Sequence, residues 1–347
     1  ARTQAGVTPR RTLGRLSLVA GLASVLAVST VVAPRADDQS IKINSRLISH
    51  FKVGSDESRF GSFEFVGGIE LSSPSAGLGA MSGIRLSDDR SSFLGVMDTG
   101  FWYAGRFERD ADGVLTGVTD FSVSSILDLN GEASDQKWRV DAEGIAVRGD
   151  EVLVSFERHS RVDVYPAKAP GNARPLRSLP LQIPLAEMRN NRGPEAVMVA
   201  PETSPLAGDV VVVTERSLNA EGDIYAAVLT GPLKGVFFVK RHPPYDVTDG
   251  DFLPNGDLLL LERRFSIAGG IGMRIRRIDG SRLGPGNLVD GPVLLEADFG
   301  NQIDNMEGLD VSTDDAGQVF VTLVSDDNYS ILQRNLVLEF RYLGGEE

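Results

Sequence analysis

The 347-residue sequence has no cysteine. That excludes disulfides, thiolate metal ligands and a cysteine nucleophile, although it leaves the compartment open, because exported proteins also do without cysteine. Histidine is nearly absent: His50, His159 and His242 are the only three, and none stands in a zinc-protease spacing. No G-x-S-x-G run occurs, so a serine nucleophile elbow has no support. Helical periodicity is scarce, and the 38 glycines and 17 prolines suit many short strands joined by turns. The body also lacks positive charge. Residues 1–36 hold five arginines (2, 10, 11, 15 and 35) and no acid. Setting those five aside leaves 30 basic residues against 48 acidic ones, a net charge of −18. Nonspecific nucleic-acid binding is therefore excluded as an expectation.

One long apolar run is present, LSLVAGLASVLAVSTVVA at 16–33, next to Arg10-Arg11. With the small residues before Asp37-Asp38 it reads as an export signal, of the twin-arginine type, placing the body in the periplasm or outside the cell. A charged flank and an apolar run of this length also fit an uncleaved membrane anchor, which would be the body's only membrane contact. Residues 37–347 are expected to form a single domain, and a monomer.

The body repeats itself. A polar residue, usually an acid, opens a hairpin-like segment, and an acid, usually followed by arginine, closes it. The clearest copy is DAEGIAVRGDEVLVSFER at 141–158, with Glu143 and Glu157-Arg158. Residues 193–216 repeat it with Glu195 and Glu215-Arg216, residues 249–263 with Asp249 and Glu262-Arg263, and residues 305–327 with Glu307 and Asp326-Asp327. A weaker copy at 81–100 has Ser82 and Asp98. The openings at 82, 143, 195, 249 and 307 recur at a period of about 55 residues, the signature of a propeller or repeat array. Gly149-Asp150, Gly208-Asp209, Asn255-Gly256 and Ala316-Gly317 are turn signals between apolar runs, so each copy reads as an antiparallel hairpin. A hairpin returns the chain to its starting end, which brings roughly nine or ten carboxylates and several arginines to one mouth of a central channel.

The fold expected is an all-β, single β-propeller. Dividing the 311 residues of the body by a repeat of about 55 favours six blades with one divergent, and five remain open. Segments 41–53, 60–71 and 336–343 read as strands, with the two chain ends completing one shared blade. The inserts 166–192 and 217–247 read as outer-blade connections.

Glu143, Glu195, Asp249 and Glu307 read as equivalent positions, and oxygen ligands from several blades suit Ca²⁺; Asn305, Asp326, Asp327 and Asn328 could add to them. The competing reading is that these acids only accept backbone hydrogen bonds or pair with the repeat arginines. Arg158, Arg216, Arg263 and Arg264 would clamp phosphate or carboxylate oxygens, or instead lace the blades together. His159 follows Arg158 and is a candidate general acid, with a solvated histidine as the plainer alternative.

The runs DAEGIAV, GPEAV, FLPNGDLLLLERRFS (252–266), DNMEGLDV (304–311) and SDDNY (325–329) resemble the esterase-like phytase family, over roughly residues 60–341. MDTG at 97–100 resembles the family's Asp-Gly turn, whereas Ser82 departs from the acidic pattern. The resemblance implies a bacterial, often exported propeller and hydrolysis of a small phosphoester or ester. The expected mechanism is phosphoester hydrolysis assisted by a divalent metal, with Glu143, Glu195, Asp249 and Glu307 binding metal or acting as base. A lactonase or carboxylesterase using the same mouth, and a ligand-binding propeller without catalysis, are the two rivals.

Overall fold

A computed structural model describes residues 39–344 apart from 76, 190, 267 and 268. The expected signal or anchor at 1–36 lies outside the described residues, among which no helix is long and apolar enough to cross a membrane. The described chain forms five sheets, antiparallel except for one short parallel pairing at the edge of the third. Their inner strands are Met81–Leu86, Ala142–Arg148, Pro194–Val199, Asp246–Phe252 and Asn305–Thr313. Each of these packs against the next, and the fifth packs against the first, closing a ring. The fold is a five-bladed propeller.

The closure is shared between the chain ends, as the terminal strands suggested. Phe63–Ser72 pairs with Asn335–Tyr342, so the last blade carries its inner three strands from the C-terminus and its outer strands from the N-terminus. This accounts for the repeat ratio overshooting. The N-terminal strands add length to blades begun elsewhere, including Gln39–Ser40 on the edge of blade one, and make no sixth blade.

Hairpin prediction holds because the turns require it. Gly149 and Gly256 adopt φ of 59° and 94°, where a side chain is strained and glycine is not. The insert 217–247 is more ordered than a connection, since Ile224–Val228 and Gly235–Val239 within it are outer strands of blade three. The apolar runs between turns bury their side chains between blades. One hydrophobic cluster fills each of the five interfaces, such as Trp102, Ile145, Phe156 and Tyr165 between blades one and two.

Close approach of the inner strands depends on small residues. A Cβ on Gly144 would lie 2.3 Å from the carbonyl oxygen of Glu195 on the neighbouring inner strand. The Ser155 hydroxyl fixes the same junction, accepting from the Gly144 N–H at 2.8 Å and donating to the Glu195 carbonyl at 2.9 Å. Gly144→Ala is expected to destabilise the fold by about 1–3 kcal/mol, the usual cost of overpacking. Urea denaturation measures it, and an unchanged midpoint would refute the close contact.

Candidate functional site

In every blade the register between the inner strand and its partner breaks near one end. The breaks fall at Ser82, at Glu143-Gly144, at Glu195, at Thr248 and at Glu307. A bulge of this kind re-aims a side chain and increases the local twist. Four of these positions, Ser82, Glu143, Glu195 and Glu307, line one cavity of about 220 Å³. The hairpin partners returning to the same end add Asp98, Glu157, Glu215, Arg263 and Asp326. Asp141, Lys137, Arg158, Asn191 and Asn328 complete the wall.

Blade four departs from the expected alignment. Asp249 is not equivalent to the three glutamates; Thr248 is, and its hydroxyl donates to the Met306 carbonyl at 3.1 Å. Because Asp246, Asp249 and Asp251 crowd this strand, the sequence offers several registers, and only the bulge selects one. At the closing position blade four presents Arg263 where the other blades present acids, since Arg263 pairs with Asp246 across the hairpin. Glu262 falls one residue inward and is buried against Arg274 and Arg276 at 2.5 Å.

Asp249 instead sits fully buried beneath the mouth, where Arg85 closes the channel. The Arg85 guanidinium donates to the carbonyls of Ile84 (2.6 Å), Leu309 (2.7 Å), Gly250 (3.0 Å) and Val197 (3.4 Å), which belong to four different blades. Asp249 lies 3.5 Å and Asp251 3.9 Å from it. Asp249, Asp251 and Asp310 also accept backbone N–H groups of Leu309, Val311 and Leu86, tying blades four, five and one together. The mouth is thus a cup with a structural floor.

Two of the four arginines expected in the site are elsewhere. Arg216 pairs with Asp246 at 3.0 Å, and Arg264 donates to the Tyr245 hydroxyl and the Gly269 carbonyl, both at 3.0 Å. Neither lines the cup. Both directly follow a cup residue along a strand, and alternation of side chains turns them to the other face. Arg158 and Arg263 do line it, and His159 faces a separate cavity. Asp327 also lies off the wall, accepting from the Tyr329 N–H and from Asn335. Asn305 stands behind it, bridging Arg263 and Glu307. The cup's Lys137, on a four-residue helical turn, carries no repeat signal and was not foreseen as a site residue. Asp141 belongs to the DAEG run but precedes the position singled out there.

Among the described residues, eight carboxylates and three cations line the cup, leaving five negative charges unbalanced if all are ionised. The cations serve its flanks. Lys137 pairs with Asp98 and Asp141, Arg158 with Asp141 at 2.8 Å, and Arg263 with Glu307 at 3.0 Å. Among the described residues Glu143, Glu157 and Glu195 form no ion pair, and Glu195 is only 7% exposed with no hydrogen bond to its carboxylate. Burial and the neighbouring acids hold Glu143 and Glu195 well above the usual carboxylate range and push Glu157 up to about 8. Burial likewise raises Glu215 and Asp326 to about 7.

Two triads, Asp141–Glu143–Glu157 and Glu157–Glu195–Glu215, each bring one oxygen per residue within 4.8 Å of the others, and Glu157 belongs to both. Two like charges at that separation repel by about 3 kcal/mol at an effective dielectric constant of about 20. That is more than an exposed ion pair returns, so these groups hold protons or a cation. A donor set made only of oxygens fits a hard divalent cation. The nearly buried Glu195, with no cation at ion-pairing distance among the described residues, is the observation that makes the fit specific to this cup.

No curated protein matches the chain. The sequence model of a family described as Phytase-like, esterase-like activity of phytase, matches residues 76–329. That span runs from the inner hairpin of the first blade to the last carboxylates of the cup, well over half of the chain. The acidic triads could hold a metal ion, and family and fold together support a hydrolase-like function. With its fold, the ordered acidic hairpins and this match in agreement, the chain belongs to the Phytase-like family.

Proposed function

We propose that the protein is an exported hydrolase of small phosphoesters whose cup holds a divalent cation, Ca²⁺ being the one the oxygen donors suit best. The single observation that carries this reading is the central group of Glu143, Glu157 and Glu195, none of which has a cation at ion-pairing distance among the described residues. Asp141 and Glu215 complete the triads that would hold metal. When bound, such an ion polarises a phosphoryl oxygen and acidifies a water molecule.

The remaining work falls to the chain's own groups. Arg158 and Arg263 stand on the cup wall, where their N–H forks meet anionic oxygens and stabilise the charge that grows on them. Asp141 and Glu307 orient the two guanidiniums from behind, at 2.8 and 3.0 Å. Asp326, outside both triads and raised to about 7 by burial, holds and releases a proton near neutral pH, the property a general acid or base needs. Arg85 closes the cup below and keeps bulk water from entering along the channel axis.

Dialysis against a chelator is expected to abolish turnover of phosphomonoesters, and added Ca²⁺ is expected to restore it. Lactones and carboxylic esters belong in the same panel, because preferential turnover of these would replace the phosphoester reading with the esterase one. Full activity in the metal-free protein would overturn the mechanism.

A further inference from the structure

A second cavity, of about 260 Å³, opens on the same face as the cup and shares its wall. On the segment 137–141, Lys137 and Asp141 line the cup, whereas Trp138, Arg139 and Val140 line the second cavity. On the next segment Arg158 lines the cup and His159 the second cavity. Neighbouring residues of two short stretches therefore serve two adjoining spaces.

The apolar part of the second cavity's lining is Ile126, Leu127, Leu129 and Val140. Its rim carries three side chains with no hydrogen bond or ion pair to the described protein: the Trp138 indole, the Arg139 guanidinium and the His159 imidazole. They make only ring contacts with one another, Trp138 to His159 at 6.2 Å and Arg139 over Trp138 at 5.0 Å. Arg161 is fully engaged. It donates to Asp163 at 2.7 Å, to the His159 carbonyl at 3.1 Å and to the Arg139 carbonyl at 2.9 Å. One arginine thus ties both wall segments together, and the cavity is held in shape before anything enters it.

A cavity of roughly 150 Å³ holds benzene, so this one has room for a single substituted ring. We propose that it receives the leaving group of the substrate, and that this group is an aryl alcohol. This rests on the reading that the cup hydrolyses phosphoesters. Hydrolysis then takes its ordinary course. Water forms the new bond to phosphorus, the bond from phosphorus to the aryl oxygen breaks, and the aryl oxygen leaves with a proton that the water supplied to the site. The free indole, guanidinium and imidazole accommodate the ring's face and any oxygen substituents on it. A polyphosphorylated substrate suits this cavity less well, because its apolar lining and few cations would leave further phosphates mostly unpaired.

The test is a comparison of phenyl phosphate, glycerol phosphate and inositol hexakisphosphate in the presence of Ca²⁺, with wild type and Trp138→Ala. Phenyl phosphate is expected to be favoured at least tenfold in kcat/KM by the wild type. Trp138→Ala should lose that preference, its kcat/KM falling more for phenyl phosphate than for glycerol phosphate. Equal use of all three substrates by the wild type, or preference for inositol hexakisphosphate, would overturn the proposal. A second measurement stands apart from turnover. Trp138 is 48% exposed and the only other tryptophan, Trp102, is 2% exposed, so quenching of the exposed emission reports the cavity. Saturable quenching by phenyl phosphate, absent in Trp138→Ala, supports the cavity even if no phosphoester is turned over, a result that would sink the cup reading alone. Absence of quenching in the wild type overturns the aryl site.

Discussion

Glu157→Gln is expected to lower Ca²⁺-dependent phosphoester turnover at least a hundredfold while leaving the metal-free fold as stable as the parent at pH 8, or more so. Glu157 is the residue common to both carboxylate triads, so its loss removes a ligand from each. Glutamine keeps the shape, and its amide oxygen can still accept the Gly193 N–H that the carboxylate accepts. What it removes is charge. Burial, Asp141 and Glu215 push the Glu157 pKa up to about 8. The folded protein therefore holds this proton more tightly than the unfolded chain does. The stability that goes with it is fully present below the ordinary glutamate pKa, near 4.5, and is lost as pH rises through about 8. Removing the group should abolish that loss. Ca²⁺ titration followed by calorimetry, phosphatase assays and melting curves at pH 8 measure all three effects. A variant with full activity would show that neither triad takes part in the reaction; a variant less stable than the parent at pH 8 would show that Glu157 is structural.

Arg85→Met is expected to destabilise the fold by about 3–5 kcal/mol, the range found when one partner of a buried ion pair is removed. Arg85 is 7% exposed, and methionine replaces its stem without its charge. Four carbonyls from four blades lose a charged donor, and Asp249, Asp251 and Asp310 lose the cation at their centre. Burial already raises Asp249 and Asp310 to about 7 from an ordinary 3.8, even with the arginine present. For such groups the folded state binds the proton more tightly. Their stabilising contribution is complete below about pH 3.8 and disappears as pH rises through about 7. Near pH 5 these two carboxyls are protonated in the fold and depend less on Arg85, whereas at pH 8 they are ionised and depend on it more. The destabilisation should therefore be larger at pH 8 than at pH 5. Urea denaturation at the two values checks it, and equal penalties would mean that Arg85 acts only through its backbone hydrogen bonds.

Much of the architecture was legible in the sequence. Strand and turn alternate by local rules, and Gly149 and Gly256 mark hairpin turns wherever the chain folds. The repeat then places successive openings at one end of the sheet. Glu143, Glu195 and Glu307 could be found in this way because repetition puts each of them after the same kind of turn and before the same kind of strand. Asp249 could not be placed, because three acids along Asp246–Phe252 satisfy the pattern and the bulge at Thr248 arises from packing against neighbouring inner strands. Arg216 and Arg264 were misplaced for a related reason: each directly follows a cup residue, Glu215 or Arg263, and neighbours in a strand point to opposite faces.

By itself, then, the sequence determined an all-β propeller, an acidic body and a family, all of which depend on composition and on short-range order that repeats. Tertiary structure decided that there are five blades, because the N-terminal strands complete a sheet begun more than 260 residues later. It also decided which charges meet. The register of each bulge sends Arg263 into the cup and Asp249 beneath it, and closure of the ring brings Glu157 of one hairpin against Glu195 and Glu215 of the next. Such proximity comes from long-range closure, to which a linear pattern of acids is blind.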